Sequence, residues 1–186
     1  EINLWLQNGA SWTNEAWGEP PDAYFGEDFS ESHLKRLVGG ESADKAGHIF
    51  QKPGEDEDSE GINIRVDDYK GFTNVYYGHK DEKPTDILGG TFTVTKAQPG
   101  SGITLITDSK GLNVDSSKAA DKNLASATLN ALANKLFYTA YKNGETNLAG
   151  KVEIAEGLTS SSLSKRMEDV TFKESNGQGQ YLYTPA

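Results

Sequence analysis

The chain has 186 residues, with 28 acidic and 18 basic side chains, a formal net charge of -10, and no cysteine. This length suits one domain, and a cysteine-free sequence excludes a disulfide scaffold, a thiolate zinc site and a cysteine nucleophile. The acidic excess lies entirely in residues 1–60, which carry 14 acidic and 4 basic side chains. Nucleic acids and anionic membrane surfaces both require a basic face, so this charge distribution argues against either as a partner.

Most of the chain alternates between apolar and polar residues, which is typical of β-strands. The first strand is predicted at residues 2–7, and the Asn8-Gly9 turn leads to a second strand at 10–12. Further strands are predicted at 34–38, 48–51, 62–66, 73–77, 87–88, 92–95, 103–106, 151–154, 169–172 and 180–183. Two acidic segments, 14–32 and 55–60, are predicted to be surface loops. Because Leu, Ile, Val and Phe form only about a fifth of the chain, the core around these strands must be thin.

Weak internal repeats suggest a solenoid. The tetrapeptide DYKG at 68–71 returns as DSKG at 108–111, forty positions later, and a double glycine occurs at 39–40 and again at 89–90. A spacing of forty is consistent with two solenoid turns of about 20 residues each.

One segment has the period of a helix. Between residues 118 and 142, the apolar residues at 125, 129, 132, 136 and 140 follow one another at steps of three or four. Asn143-Gly144 then provides a left-handed stop. We predict a helix over 118–142 that packs by its apolar face and serves as a cap or lateral shield for the β-rich body.

Known catalytic and metal-binding patterns are missing from the sequence. His33, His48 and His79 lack metal-ligand spacing, and the S-x-x-K match at 162–165 has none of its companion motifs. The acidic run 55–60 lacks the alternation that wraps carboxylates around calcium. We therefore predict a protein that is not an enzyme, with no catalytic residue, no metal site and no cofactor.

Aromatic side chains near the N-terminus offer a different function. Trp12, Trp17, Tyr24 and Phe25 lie close to carboxylates, a combination that can form a stacking platform for sugar rings with acceptors for their hydroxyls. The same side chains can instead supply buried area that a thin core needs. Both interpretations remain open, and the four residues are the candidate ligand-binding residues.

Several segments, in order along the chain, resemble the surface-exposed passenger region of large autotransporter-type adhesins from diderm Firmicutes. The matching segments are 4–12 (LWLQNGASW), 37–40 (LVGG), 47–51 (GHIFQ), 69–71 (YKG), 100–108 (GSGITLITD), 129–136 (LNALANKL), 143–145 (NGE) and 155–162 (AEGLTSSS). These motifs are structural, and no catalytic residue accompanies them.

The resemblance implies a single β-rich passenger module over 1–186, built as a right-handed parallel β-helix with one long inserted helix. It implies a noncatalytic stalk or display scaffold at the cell surface, translocated through an outer-membrane barrel elsewhere in the full protein, without membrane insertion of this segment. Its loops would contact a host or bacterial surface glycan or protein. The alternative is an antiparallel β-sandwich with one covering helix, acting as a carbohydrate-binding module of a secreted enzyme.

Overall fold

The computed structural model describes residues 2–15, 31–53, 61–81, 83–110, 119–155, 164–175 and 180–185. Within these ranges the chain is mainly β, with thirteen strands and one α-helix. The strands are β1 (Asn3–Trp5), β2 (Ser11–Asn14), β3 (Glu31–Val38), β4 (Gly47–Gln51), β5 (Asn63–Lys70), β6 (Phe72–Lys80), β7 (Lys83–Leu88), β8 (Phe92–Ala97), β9 (Ser101–Asp108), β10 (Leu136–Tyr138), β11 (Leu148–Ala155), β12 (Ser164–Ser175) and β13 (Gln180–Pro185). Helix α1 spans Ala119–Ala133, and 3-10 turns occupy Ala43–Lys45 and Thr139–Asn143.

Ten of the strands form two parallel stacks. Sheet A contains β1, β3, β5, β8 and β10 in that order, and sheet B contains β2, β4, β6, β9 and β11. The chain contributes one strand to sheet A and then one to sheet B, five times over. The antiparallel sandwich alternative is therefore wrong for these strands, because all of them pair in parallel within their stacks.

Alternate residues of both sheets point inward and align from strand to strand. In sheet A, one such ladder is Leu34, Val66, Val94 and Tyr138. In sheet B, the central ladder is Trp12, Ile49, Val75, Leu105 and Val152. Trp12 is half-buried and packs against this core, and every other member of both ladders is buried within it. Parallel strands lie about 4.8 Å apart, so a short apolar run in each strand is enough to build a continuous core.

A polar ladder also runs inside sheet B. The Asn14 amide donates to Gln51 Oε1 (2.7 Å) and to the Ile62 carbonyl oxygen (3.0 Å), and Gln51 donates to the Gly90 carbonyl oxygen (3.3 Å). The Tyr77 hydroxyl donates to the same carbonyl oxygen at 2.8 Å. These bonds satisfy buried polar groups that would otherwise cost stability.

The corner between β5 and β6 requires a glycine at position 71. Gly71 has φ = 93°, and a Cβ built there would lie 2.7 Å from the Gly40 carbonyl oxygen of the preceding corner. Only glycine fits both the left-handed backbone and this close approach. Beside it, the buried Tyr69 hydroxyl donates to the Gly102 carbonyl oxygen at 2.7 Å, tying successive corners together.

Helix α1 confirms the predicted helix only in part. It ends at Ala133 rather than 142, because Leu136 and Tyr138 enter strand β10 and pair with β8. Both side chains are buried in the core, and Leu136 continues the helical period by coincidence. The buried α1 residues Ala125, Leu129 and Leu132 join the main core, and the helix packs against β7, β9, β11 and β13.

The C-terminal strands join the two stacks at one end. Strand β12 pairs antiparallel with β11 of sheet B, β13 pairs antiparallel with β10 of sheet A, and β12 and β13 pair with each other. This hairpin therefore covers the last strand of both sheets. At the other end, Ile2 and Trp5 are the exposed large apolar side chains among the described residues.

The predicted repeat length is wrong. Ile49 pairs with Val75, 26 positions on, and Val75 pairs with Leu105, 30 positions on, so one turn is longer than the 20 residues predicted. The tetrapeptide repeat at 68–71 and 108–111 marks two different places, the corner between β5 and β6 and the end of β9. Within the described residues, none of the helices has the length and hydropathy needed to cross a bilayer.

Candidate functional site on the outer face of sheet B

The outward side chains of sheet B form two columns along the stack. The first, called here the polar column, contains Ser11, His48, Asn74, Thr104 and Lys151. The second, called the apolar column, contains Thr13, Phe50, Tyr76, Ile106 and Glu153. Register alone creates these columns, because residues two apart in a strand share a face and parallel pairing aligns them between strands.

Two side chains of these columns form a hydrogen-bonded pair. His48 Nδ1 lies 2.8 Å from the Tyr76 hydroxyl. Burial lowers the pKa of His48, so its ring is neutral at pH 7. Burial also raises the pKa of Tyr76, although the Asn74 side chain opposes this.

A cleft opens beside His48. It has a volume of about 570 Å³ and is lined by Asn8, Gly9, Ala43, Asp44, Lys45, Ala46, His48 and Asn74. Its walls are two corners of the chain: the turn at Asn8 and Gly9, with φ values of 57° and 76°, and the 3-10 turn Ala43–Lys45. The outer face of sheet B supplies His48 and Asn74.

The charges at this cleft are partly compensated. Lys45 Nζ lies 2.8 Å from Oε1 of Glu41, four residues earlier in the chain. This contact lowers the pKa of Glu41 and raises the pKa of Lys45. Asp44 contributes the one carboxylate among the residues that line the cleft. With His48 neutral, the cleft and its rim carry a small negative charge.

The apolar column runs beside the polar column on the same face. Phe50 stacks on Tyr76 with ring centroids 4.7 Å apart and planes inclined by 13°, and it is half-buried. Tyr76, Ile106 and Ala155 are buried in a small cluster separate from the main core. At the far end, Glu153 is 7% exposed, and burial raises its pKa. This face therefore offers polar groups at the cleft and one partly accessible ring in the neighbouring column.

The other two histidines have structural partners. His79 Nε2 lies 2.6 Å from Asp108 Oδ1, and its Nδ1 lies 2.9 Å from the Lys80 carbonyl oxygen. This partly buried contact ties the β6–β7 hairpin to the end of β9. His33 pairs with Asp67 at 2.9 Å on the exposed face of sheet A. Neither ring lines the cleft, so His48 is the histidine available to it.

Of the predicted ligand-binding residues, Trp12 is half-buried and turned toward the core between the sheets. Trp17, Tyr24 and Phe25 lie outside the described residues, as do all but the ends of the predicted acidic loop 14–32 and the whole of the loop 55–60. Their ligand role stays a prediction. Within the described ranges, no group of three His, Asp or Glu side chains could hold a metal ion.

The sequence interpretation missed the cleft. It treated His48 as a residue that opens a strand, and it did not consider Asn74. The signal was present in the strand period, since positions 48, 50, 74 and 76 all fall on the solvent side. What was missing was the register that places β4 beside β6.

Comparisons with known proteins add no relative. No family model matches the chain, and neither a curated protein nor a solved structure matches it.

Proposed function

We propose that the chain is a noncatalytic module of a bacterial cell-surface adhesin, a right-handed parallel β-helix that acts as a stalk or display scaffold. The observation that carries this proposal is the regular alternation of the chain between two parallel stacks. A right-handed path agrees with the strong preference of parallel strand crossovers for that hand. The resemblance to autotransporter-type passengers supplies the cell-surface location and the loop contacts with a host or bacterial glycan or protein.

The stacked strands and the absence of cysteine suit export and display of the chain. Each turn contacts mainly its neighbours, so the stack can form progressively as the chain emerges from a pore. A sequence without cysteine avoids a disulfide that would lock the chain before passage. The C-terminal hairpin and α1 cover apolar surface that the parallel strands leave open.

The experiment replaces the passenger of an efficiently exported autotransporter with this chain. Digestion of the chain by protease added to intact cells then measures its surface exposure. We expect surface exposure for the native sequence. A matched variant, Arg65→Cys with Thr93→Cys, introduces two cysteines on the outer face of sheet A at directly paired positions of β5 and β8. Parallel neighbours lie about 4.8 Å apart, within disulfide range.

This variant should form a disulfide under oxidising conditions, arrest export, and recover when reductant is added. Disulfide formation in the purified variant also tests the β5–β8 register independently of export. A native chain that stays in the periplasm in both conditions would contradict the display function. A purified variant that forms no disulfide would contradict the parallel stack.

A further inference from the structure

We propose that the cleft beside His48 and Asn74 binds a neutral saccharide unit through its hydroxyl groups, with the Phe50 ring as an adjacent apolar surface. The inference deepens the proposed function by naming a ligand class and a place for it. It is tested separately, because binding by the purified chain does not depend on export.

The cleft offers hydrogen-bonding groups of both kinds in a small space. Asn8 and Asn74 each provide an amide donor and a carbonyl acceptor, and Asp44 adds an acceptor. Sugar hydroxyls both donate and accept, so they can pair with such a mixture. The volume of about 570 Å³ is within the range of small-molecule sites.

His48 adds a ring nitrogen that is held in position. Its Nδ1 lies 2.8 Å from the Tyr76 hydroxyl, and its Nε2 has no hydrogen-bond partner within the described residues. The bond to Tyr76 therefore orients the ring and leaves Nε2 for a ligand. A group oriented before binding loses less conformational entropy when the ligand arrives.

Charge disfavours other ligand classes. The ammonium group of Lys45 already contacts Glu41, and Asp44 is negative, so an anionic ligand would meet net repulsion. A metal cation would need several converging carboxylates, and the lining of the cleft provides one. A neutral polyhydroxyl ligand matches both the charge and the hydrogen-bonding groups.

The Phe50 ring offers an apolar surface on the same face for a ligand that extends past the cleft. Phe50 and His48 share the outer face of β4, two residues apart, although Phe50 is not among the residues that line the cleft. Tyr76 stacks against one face of Phe50, and the Phe50 side chain is half-buried. The C–H groups of a pyranose that reaches past His48 can pack against the accessible part of the ring.

The test begins with the purified 186-residue chain on an array of neutral, sialylated and sulfated oligosaccharides. An NMR titration then measures affinity for the strongest neutral compound. We expect binding to neutral glycans with Kd of about 1 mM or tighter. His48→Ala and Asn74→Ala should each weaken binding about five- to tenfold, as expected for loss of one hydrogen bond.

Two further variants make the result decisive. Asp44→Ala changes an exposed residue in a 3-10 turn, leaves both sheets intact and should weaken binding by a similar factor. His33→Ala removes an outward histidine from sheet A and should leave binding unchanged. The proposal is overturned if neutral glycans do not bind, if sialylated or sulfated glycans bind better, or if His33→Ala weakens binding as much as Asp44→Ala.

Discussion

The inner and outer faces of sheet B come from the same five strands, yet they differ in what they do. Inward residues such as Ile49 and Leu105 repeat one chemical type and lie fully buried. Outward residues of the polar column, such as His48 and Thr104, differ from one level of the stack to the next and remain partly accessible. Alternate residues of one strand thus divide scaffold from candidate site, and mutations placed on neighbouring positions can separate the two.

The largest expected effect is on the inner face. Leu105 is fully buried between Val75 and Val152, and Leu105→Ala would leave a cavity in the middle of the ladder. We expect a loss of about 3 kcal/mol in the free energy of unfolding. Chemical denaturation monitored by circular dichroism measures it.

The adjacent outer position provides the control. Thr104→Ala changes a partly exposed residue of the polar column, and we expect less than about 0.5 kcal/mol of destabilisation. Equal losses of unfolding free energy for Leu105→Ala and Thr104→Ala would contradict the assignment of Leu105 to the core and Thr104 to the outer face.

The inner face is also the part that the sequence predicted well. Alternation in segments such as 62–66 located the strands, because burial of one face imposes a period of two. The end of the helix was missed because Leu136 is apolar in either structure, and only its pairing with Phe92 makes it a strand residue. The site was missed for a related reason. Partners in successive turns are 26 positions apart for His48 and Asn74 but 47 apart for Thr104 and Lys151, so no fixed repeat reveals the columns.

A second prediction concerns the polar ladder inside sheet B. Gln51→Ala removes the acceptor for the Asn14 amide and a donor to the Gly90 carbonyl oxygen. Because these groups are buried, we expect the free energy of unfolding to fall by about 2 kcal/mol. Thermal unfolding of Asn14→Ala, of Gln51→Ala and of the double variant Asn14→Ala/Gln51→Ala measures the coupling. If the two changes prove additive, the ladder does not act as a unit.

A third prediction uses a carboxylate at the corner after β10. Burial opposes ionisation of Glu145, but hydrogen bonds from Tyr138, the Ala97 N–H (3.1 Å) and Asn147 hold its pKa below the ordinary value of 4.5. Its ionised form therefore stabilises the fold above pH 4.5, and this contribution is lost as pH falls through the lowered pKa. Glu145→Gln should lower the free energy of unfolding by about 1 kcal/mol at pH 7 and by less at pH 3. A cost that does not change between these pH values would contradict the ionic contribution.

Apart from the Thr104→Ala control, the smallest expected effect has the opposite sign and lies on the outer face. Glu153 is buried in the apolar column with its pKa raised by burial, so the folded chain favours the protonated form. The stability from this form is present below pH 4.5 and is lost as pH rises through the raised pKa. Glu153→Gln mimics the protonated carboxyl, so it should stabilise the protein at pH 7.5 by roughly 0.5 to 1 kcal/mol and have no effect at pH 4. Chemical denaturation at both pH values measures this effect. Parallel measurements on Glu145→Gln compare two carboxylates whose surroundings shift their pKa values in opposite directions. A Glu153→Gln variant that is less stable than the native chain at pH 7.5 would show that the ionised carboxylate is favoured there, and that the outer face is better solvated than its burial indicates.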